Sequence, residues 1–320
     1  MTHPDCPHCD SGDTRKYGRR YDGGQRYQCK TCKRTWSESK PLHPVLGRLD
    51  RTKALLAINC LLEGCSVRSA ARLTGITKKS ILALLNRAAS RCRTVMEEKM
   101  RDLDLAQIQV DELWTFIQKK QKRLRPGDPH ERGDCYTFVA IDPESKIIPT
   151  FALGKRDERT AFRFISNLAD TLGRKTKPQL SSDAFRAYPE AVEAVFGADI
   201  DYGQVIKLFH AKAGNKREGY WPSGLVATTR RLVTGRPDKQ FISTSIIERS
   251  NLTFRMAMRR FTRLTNGFSK NFANLRDAVS LHVAAYNFTR VHQTLGVTPA
   301  MEAGIVDSLW GVEELLGVDA

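Results

Sequence analysis

The order of strand-like and helix-like segments restricts the fold more than any other feature of this sequence. Period-two alternation or short apolar runs predict five strands, at residues 108–111, 136–141, 146–153, 178–183 and 200–209. Helical spacing predicts helices at 159–172 and 188–196, and it returns at 245–292. The resulting order is βββαβαβα. It predicts a mixed sheet flanked by helices.

Three acidic residues lie at particular positions in this order of strands and helices. Asp111 is on the first predicted strand, Asp183 ends the fourth, and Glu248 lies on a later helix. The order is that of a ribonuclease H-like α/β fold, in which acids at these positions converge at one edge of the sheet. Three carboxylates can hold two divalent metal ions roughly 4 Å apart, which is a site for phosphodiester chemistry. We expect Asp111, Asp183 and Glu248 to be catalytic and to bind two Mg²⁺ or Mn²⁺ ions.

Each acid also has an ordinary structural interpretation. Asp111 could be an exposed strand-end residue, Asp183 a turn residue, and Glu248 the last member of a helix capping box. Glu218 competes with Glu248 for the third position, because thirty-four residues lie between it and Asp183. It sits in a glycine-flanked loop, whereas a helix would hold Glu248 rigidly. We therefore favour Glu248.

The first 42 residues have the pattern of a zinc ribbon. Two C-x₂-C pairs are separated by nineteen residues, and the four cysteines are Cys6, Cys9, Cys29 and Cys32. Two cysteines on a tight knuckle can reach one ion, and four thiolates suit one structural Zn²⁺. A chance cysteine cluster in a disordered tail is the alternative. Asp22-Gly23-Gly24 predicts a hairpin turn between the two pairs.

Residues 48–103 predict a helix-turn-helix domain. A first helix ends near Gly64, Ser66 is a candidate cap for a short second helix, and Thr77 is a candidate cap for a third. Two short helices joined by a glycine-containing turn, the second basic, are typical of this motif. We expect the third helix to face DNA with Lys78, Lys79, Ser80 and Arg87. A plain helical bundle is the alternative.

The charge balance points to a polyanionic partner. The 320-residue chain has 52 Lys and Arg against 35 acids, a net charge of +17. Residues 204–263 contribute thirteen of the basic residues and only three acids. A solvated charged face is the alternative, but such faces mix the two signs more evenly. Further expected DNA contacts on and after the helix of Glu248 are Arg249, Asn251, Arg255, Arg259 and Arg260.

Other classes of protein fit the sequence less well. It contains no run of about 18 apolar residues, and its start lacks the regions of a secretory signal, so we expect no membrane association. Eight cysteines without a signal argue against a disulfide framework. We expect a cytoplasmic protein of a prokaryote, associated with the nucleoid.

Several segments resemble those of insertion sequence 1 family transposases. They are the context of Asp111-Glu112-Leu113-Trp114, that of Asp183, and Glu248-Arg249-Ser250-Asn251-Leu252 with the downstream Phe268-Ser269-Lys270. The resemblance covers most of the chain, from Cys6 to about Pro299. It implies an amino-terminal zinc finger and helix-turn-helix joined to a DDE nuclease core.

The expected domains are a zinc ribbon at 1–42, a helix-turn-helix domain at 48–103, a catalytic domain at 105–299 and a tail at 300–320. We expect a basic loop or insertion at about 210–243 in the catalytic domain. The resemblance implies a transposase that cleaves element ends and joins them to target DNA, working at least as a dimer. The alternatives are a DNA-binding regulator with an inactive core and a structure-selective nuclease.

Overall fold

The computed structural model describes residues 3–20, 24–37, 42–173, 177–209 and 225–318. The chain divides into two compact units, Met1–Arg48 and Leu49–Ala320. Within the described residues, no helix combines the length and the apolar character needed to cross a membrane.

The smaller unit contains a three-stranded antiparallel sheet. Its strands are β1 (Thr14–Arg19), β2 (Gln25–Cys29) and β3 (Thr35–Ser37), with β2 in the centre. Tyr27 of β2 is buried and stacks on Trp36 of β3 at 6.0 Å between ring centroids. Residues 21–23, which hold most of the predicted hairpin turn, lie outside the described residues.

Three helices open the larger unit: α1 (Arg51–Leu62), α2 (Val67–Thr74) and α3 (Lys78–Lys99). Both predicted caps are present, because the side chains of Ser66 and Thr77 accept hydrogen bonds from the amides three residues later. Gly75 ends α2 in the left-handed conformation, with φ +72°. The third helix continues beyond Arg87, the last of its expected DNA contacts. Its buried apolar stripe continues through Ala88, Ala89, Cys92, Val95 and Met96.

A six-stranded mixed sheet forms the centre of the larger unit. Its strands are β4 (Gln107–Ile117), β5 (Gly133–Ile141), β6 (Phe151–Gly154), β7 (Gln179–Asp183), β8 (Asp201–Phe209) and β9 (Leu225–Thr234). The order across the sheet is β6-β5-β4-β7-β8-β9. The pairs β4–β7 and β7–β8 are parallel, and the other pairs are antiparallel. This arrangement is consistent with the predicted ribonuclease H-like core.

Helices cover both faces of this sheet. They are α4 (Glu158–Ala169), α5 (Tyr188–Phe196), α6 (Ser245–Ala257) and α7 (Phe272–Phe288), followed by the short α8 (Pro299–Glu302) and α9 (Val312–Leu316). Phe138 of β5 packs against Phe164 of α4 and Tyr188 of α5, so these two helices share one face. On α7, Asn287 accepts from the amide of Ile148 and donates to its carbonyl, which ties α7 to the segment before β6.

Several predicted segments differ from the structure. The first strand extends beyond the predicted 108–111 to Ile117, and the helical stretch at 245–292 forms the two helices α6 and α7. The third strand is restricted to Phe151–Gly154, because Ile147 and Ile148 are buried in an irregular segment before it. In the expected basic loop, residues 225–234 instead form β9, in which β-branched residues pair with β8. Residues 210–224, which include Glu218, lie outside the described residues.

Candidate active site and metal sites

Four cysteines of the smaller unit converge on one point. The sulfurs of Cys6 and Cys32 are 3.6 Å apart, and so are those of Cys9 and Cys29. A tetrahedral Zn²⁺ with bonds of about 2.3 Å would set its sulfur ligands about 3.8 Å apart, so the group fits this ion. The amide of Cys32 lowers the pKa of the Cys29 thiol to about 6, which favours the thiolate that a metal needs. The four residues can hold a metal ion.

The first two predicted catalytic acids lie side by side in the larger unit. Val110 of β4 pairs in parallel with Ser182 of β7, so the next residues, Asp111 and Asp183, are neighbours. Each side chain, together with that of Glu112, offers an oxygen within 4.8 Å of the others. Because β7 ends at Asp183, this acidic group lies beside the carboxyl end of that strand, where a ligand can approach. The three residues could hold a metal ion.

The pleat of β4 turns Asp111 toward α6. Gln109, two residues earlier on the same face, accepts hydrogen bonds from the amides of Ile246 and Ile247 at 3.0 and 3.1 Å. One turn further along α6, the buried Asn251 donates to Asp111 Oδ2 at 2.7 Å. These contacts fix the first turn of α6 and the Asp111 carboxylate relative to each other.

Glu112 faces the opposite side of the sheet. It lies opposite Phe138 in the pairing of β4 with β5, on the side covered by α4 and α5. Arg156, in the loop before α4, donates to Glu112 Oε2 at 3.0 Å and to Asp183 Oδ2 at 3.3 Å. The same guanidinium lies over the ring of Phe185 at 4.2 Å. One arginine therefore connects the two acids.

Glu248 occupies the first turn of α6, where the sequence predicts a rigid carboxylate. Thr244 donates to Glu248 Oε1 at 2.6 Å, and Lys207 of β8 forms an ion pair with the same oxygen. The N-cap of α6 is therefore Thr244, one residue before the proposed capping box, and its hydroxyl rather than that of Ser245 bonds to Glu248. Its carboxylate stands outside the 4.8 Å group, although its charge still acts on Asp111.

Burial and mutual repulsion raise the affinity of the acidic group for protons. Desolvation, followed by the charges of Asp183 and Glu248, raises the pKa of Asp111 to about 6. Desolvation and the charge of Asp183 raise the pKa of Glu112 to about 7, against the effect of Arg156. Carboxylates held together in this way gain stability from a bound cation.

The residues expected to contact DNA differ in their exposure. On α3, Lys78 and Lys79 are exposed, whereas Ser80 and Arg87 are partly buried. Ile81, Leu84 and Leu85 of the same helix are buried and form its inward face. Around α6, Arg249 and Arg259 are exposed, and Arg255 is partly buried. Asn251 and Arg260 point inward, toward Asp111 and toward Ser269 Oγ at 2.7 Å.

Three residues of the site were not predicted from the sequence: Glu112, Arg156 and Lys207. The sequence contains a signal for Glu112, because it is an acid directly next to a predicted catalytic acid and stays within reach of Asp183. Arg156 and Lys207 come from separate loops and strands of a basic chain, so the sequence contains no signal for them.

Comparison with known proteins gives only distant likenesses. No protein-family profile matches the chain, and no curated protein matches it. Among solved structures, a piggyBac transposase synaptic complex with hairpin DNA is similar over 88% of this chain and 72% of that chain, at 7% identity and a TM-score of 0.40. A Mos1 transposase paired-end complex with left transposon end is similar over 51% of this chain and 60% of that chain, at 13% identity and a TM-score of 0.19.

Proposed function

We propose that this protein is a DNA transposase of the DDE type, similar to those of the insertion sequence 1 family. The proposal depends on one observation: Asp111 within β4 and Asp183 at the end of β7 lie side by side on adjacent parallel strands, beside a helix that carries Glu248. Asp111, Asp183 and Glu248 would hold two Mg²⁺ or Mn²⁺ ions. When bound between carboxylates, such ions activate a water molecule and stabilise the leaving oxygen of a phosphodiester.

The chain's own residues arrange these acids. Asn251 fixes one oxygen of Asp111, and the amide of Phe185 donates to Asp183 Oδ1 at 2.9 Å. Preorganised ligands of this kind reduce the reorganisation that is needed to place a scissile phosphate. In the first reaction, water attacks the phosphorus at the element's end and releases a 3′-hydroxyl. In the second, that hydroxyl attacks a phosphodiester of the target and displaces a 3′-oxygen.

The remaining modules would bring DNA to this site. The amino-terminal end of α3, with the exposed Lys78 and Lys79, would bind the element's end as the recognition helix of a helix-turn-helix. The cysteine group would hold one structural Zn²⁺ and stabilise the smaller unit. Exposed arginines such as Arg249 and Arg259 would contact phosphates near the acids. Two ends must be held together for transposition, so we propose at least a dimer on DNA.

The test uses duplexes made from the sequence that flanks the gene, including any short inverted repeats found there, incubated with Mg²⁺ and a target plasmid. Asp111→Asn, Asp183→Asn and Glu248→Gln should each abolish cleavage and joining while leaving end binding intact. Glu302→Gln, which changes an acid far along the chain in α8, is the control and should cleave normally. Full cleavage by Glu248→Gln would contradict its assignment, and loss of cleavage by Glu218→Gln would then identify the third acid.

Two other outcomes would replace the proposal with a different function. End binding without any Mg²⁺-dependent nicking by the unaltered protein would indicate a DNA-binding regulator. Cleavage of branched DNA of any sequence, without joining, would indicate a structure-selective nuclease.

A further inference from the structure

The guanidinium of Arg156 lies among the acidic side chains, where a bound metal cation would be expected. It bridges Glu112 and Asp183 at 3.0 and 3.3 Å and is stacked on Phe185. The side chain is 37% exposed, so it lies at the mouth of the site rather than in its interior. The bridge neutralises part of the repulsion between two carboxylates that the fold holds together.

Arg156 engages only one of the two oxygens of Glu112. The side chain is only 3% exposed, and its other oxygen, Oε1, makes no hydrogen bond of good geometry among the described residues. The buried hydroxyl of Tyr188 is near this carboxylate and acts to lower its pKa, but it too makes no hydrogen bond of good geometry among those residues. Oε1 therefore remains able to accept a cation beside the other two acids, whose oxygens lie within 4.8 Å.

The charges of the site explain why an arginine and divalent ions would exclude each other. Among the residues that the structure describes, four carboxylates, those of Asp111, Glu112, Asp183 and Glu248, form ion pairs with two cations, Arg156 and Lys207. Two divalent ions alone would balance the four acids. A guanidinium left within 3.3 Å of the ligand oxygens would then be repelled by the ions.

A place for the displaced arginine lies next to the acids. A cavity of about 340 Å³ is lined by Arg156, Arg159, Arg186 and Phe185, together with Asp157 and Glu158. Asp157 caps α4 through the amide of Thr160 at 2.9 Å, so its carboxylate is already engaged. Three guanidinium side chains around one cavity suit the phosphate of a nucleic-acid backbone.

We propose that Glu112 is a further metal-binding carboxylate, and that Arg156 is a resident counter-ion which a divalent cation displaces and which then binds a DNA backbone phosphate. The inference deepens the proposed function and rests on it for the identity of the phosphate. Metal binding would thereby release a DNA-binding group. Arg156 would act as a positioning residue before the metal binds and as a substrate-binding residue afterwards.

The first test measures Mn²⁺ binding to the full-length, DNA-free protein by calorimetry. Arg156→Gln should bind Mn²⁺ roughly tenfold more tightly, because about 1–2 kcal/mol of competing ion pairing is lost. Glu112→Gln should bind it roughly tenfold more weakly. Arg159→Gln, which removes a positive charge from the same cavity but no ion pair with these acids, is the control and should change the affinity less than about twofold.

Weaker or unchanged Mn²⁺ binding by Arg156→Gln would overturn the inference, since a residue that merely braces the acids would lower the affinity when removed. Arg156→Lys keeps the charge and should bind Mn²⁺ within about threefold of the unaltered protein. Correct folding of each variant is verified by its thermal unfolding curve, and the isosteric Glu112→Gln gives an independent result if Arg156→Gln fails to fold.

The second test measures binding to a duplex that already ends at the cleavage position. In Ca²⁺, Arg156→Gln should weaken binding and lower the slope of log affinity against log salt by about one. In EDTA, the same variant should bind as the unaltered protein does. Equal losses in both conditions would contradict displacement. The Mn²⁺ measurements do not require cleavage, so they distinguish failure of this inference from failure of the proposed reaction.

Discussion

Replacing Asn251 distinguishes two possible roles of this residue, which are contacting DNA and holding the Asp111 carboxylate in place. The sequence predicts a DNA contact, whereas the structure buries the side chain and directs its amide to Asp111 Oδ2 at 2.7 Å. A hydrogen bond to a charged group contributes about 1.5–3 kcal/mol. If the bond holds Asp111 in its reactive position, its loss in Asn251→Ala should slow strand cleavage roughly 10- to 150-fold. End binding should stay within about twofold, because a residue that is 3% exposed cannot reach a phosphate.

The assay is single-turnover cleavage of an element end at saturating protein, alongside a titration of end binding. Arg249→Gln is a matched control from the same helix, since Arg249 is exposed two residues earlier. It should weaken end binding and leave the saturated cleavage rate unchanged. The reasoning would be refuted if Asn251→Ala cleaved within about threefold of the unaltered protein, or if it lost end binding and kept its saturated rate.

Three further predictions concern the other parts of the molecule. Cys29→Ser should lose one equivalent of zinc and make Met1–Arg48 sensitive to protease while Leu49–Ala320 stays folded, as measured by metal analysis and limited proteolysis. The double variant Lys78→Gln with Lys79→Gln should lower the slope of log affinity against log salt by about two without changing cleavage at saturation. Burial, and then the charge of Arg290, lower the pKa of His282 to about 3 from about 6.5 in the unfolded chain. Only the unfolded chain gains this proton between the two values, so stability should fall as the pH drops below 6.5, by about 2 kcal/mol from pH 7.5 to pH 5. His282→Leu should lose this component in urea unfolding at the two pH values, and an equal pH dependence in the variant would contradict it.

Most of the strands and the proximity of Asp111 to Asp183 could be predicted because they depend on local patterns. Apolar alternation identifies the strands, and the parallel pairing of adjacent strands places residues side by side. Asp111 and Asp183 are neighbours for this reason. The caps at Ser66 and Thr77 were predictable in the same way, because a hydroxyl beside the first helical turn satisfies a free amide.

The rest of the site depends on contacts between distant segments. Lys207 and Glu248 are forty-one residues apart in sequence, and Arg156 and Glu112 are forty-four apart. Neither pair has a periodic signal, and a chain with 52 basic residues offers many equivalent partners for each acid. The strand β9 was missed for another reason: its exposed residues lack the alternation between buried and exposed positions that normally identifies a strand.

The uninterrupted length of α3 has a consequence for the proposed recognition of element ends. Its 22 residues form a rod of about 33 Å. Asn86 and Arg93 on this rod both bond to the buried Asp277 of α7, at 2.9 Å each. These bonds attach α3 firmly to the rest of the unit that contains the acids. If the amino-terminal end of α3 binds the element's end as proposed, the bound sequence and the acids keep a fixed relative orientation. Each base pair inserted between the bound sequence and the cleavage position would then rotate the scissile phosphate by about 34° around the duplex axis, because B-DNA has about 10.5 base pairs per turn. The proposal therefore implies that an element end needs a fixed rotational phase as well as a fixed sequence.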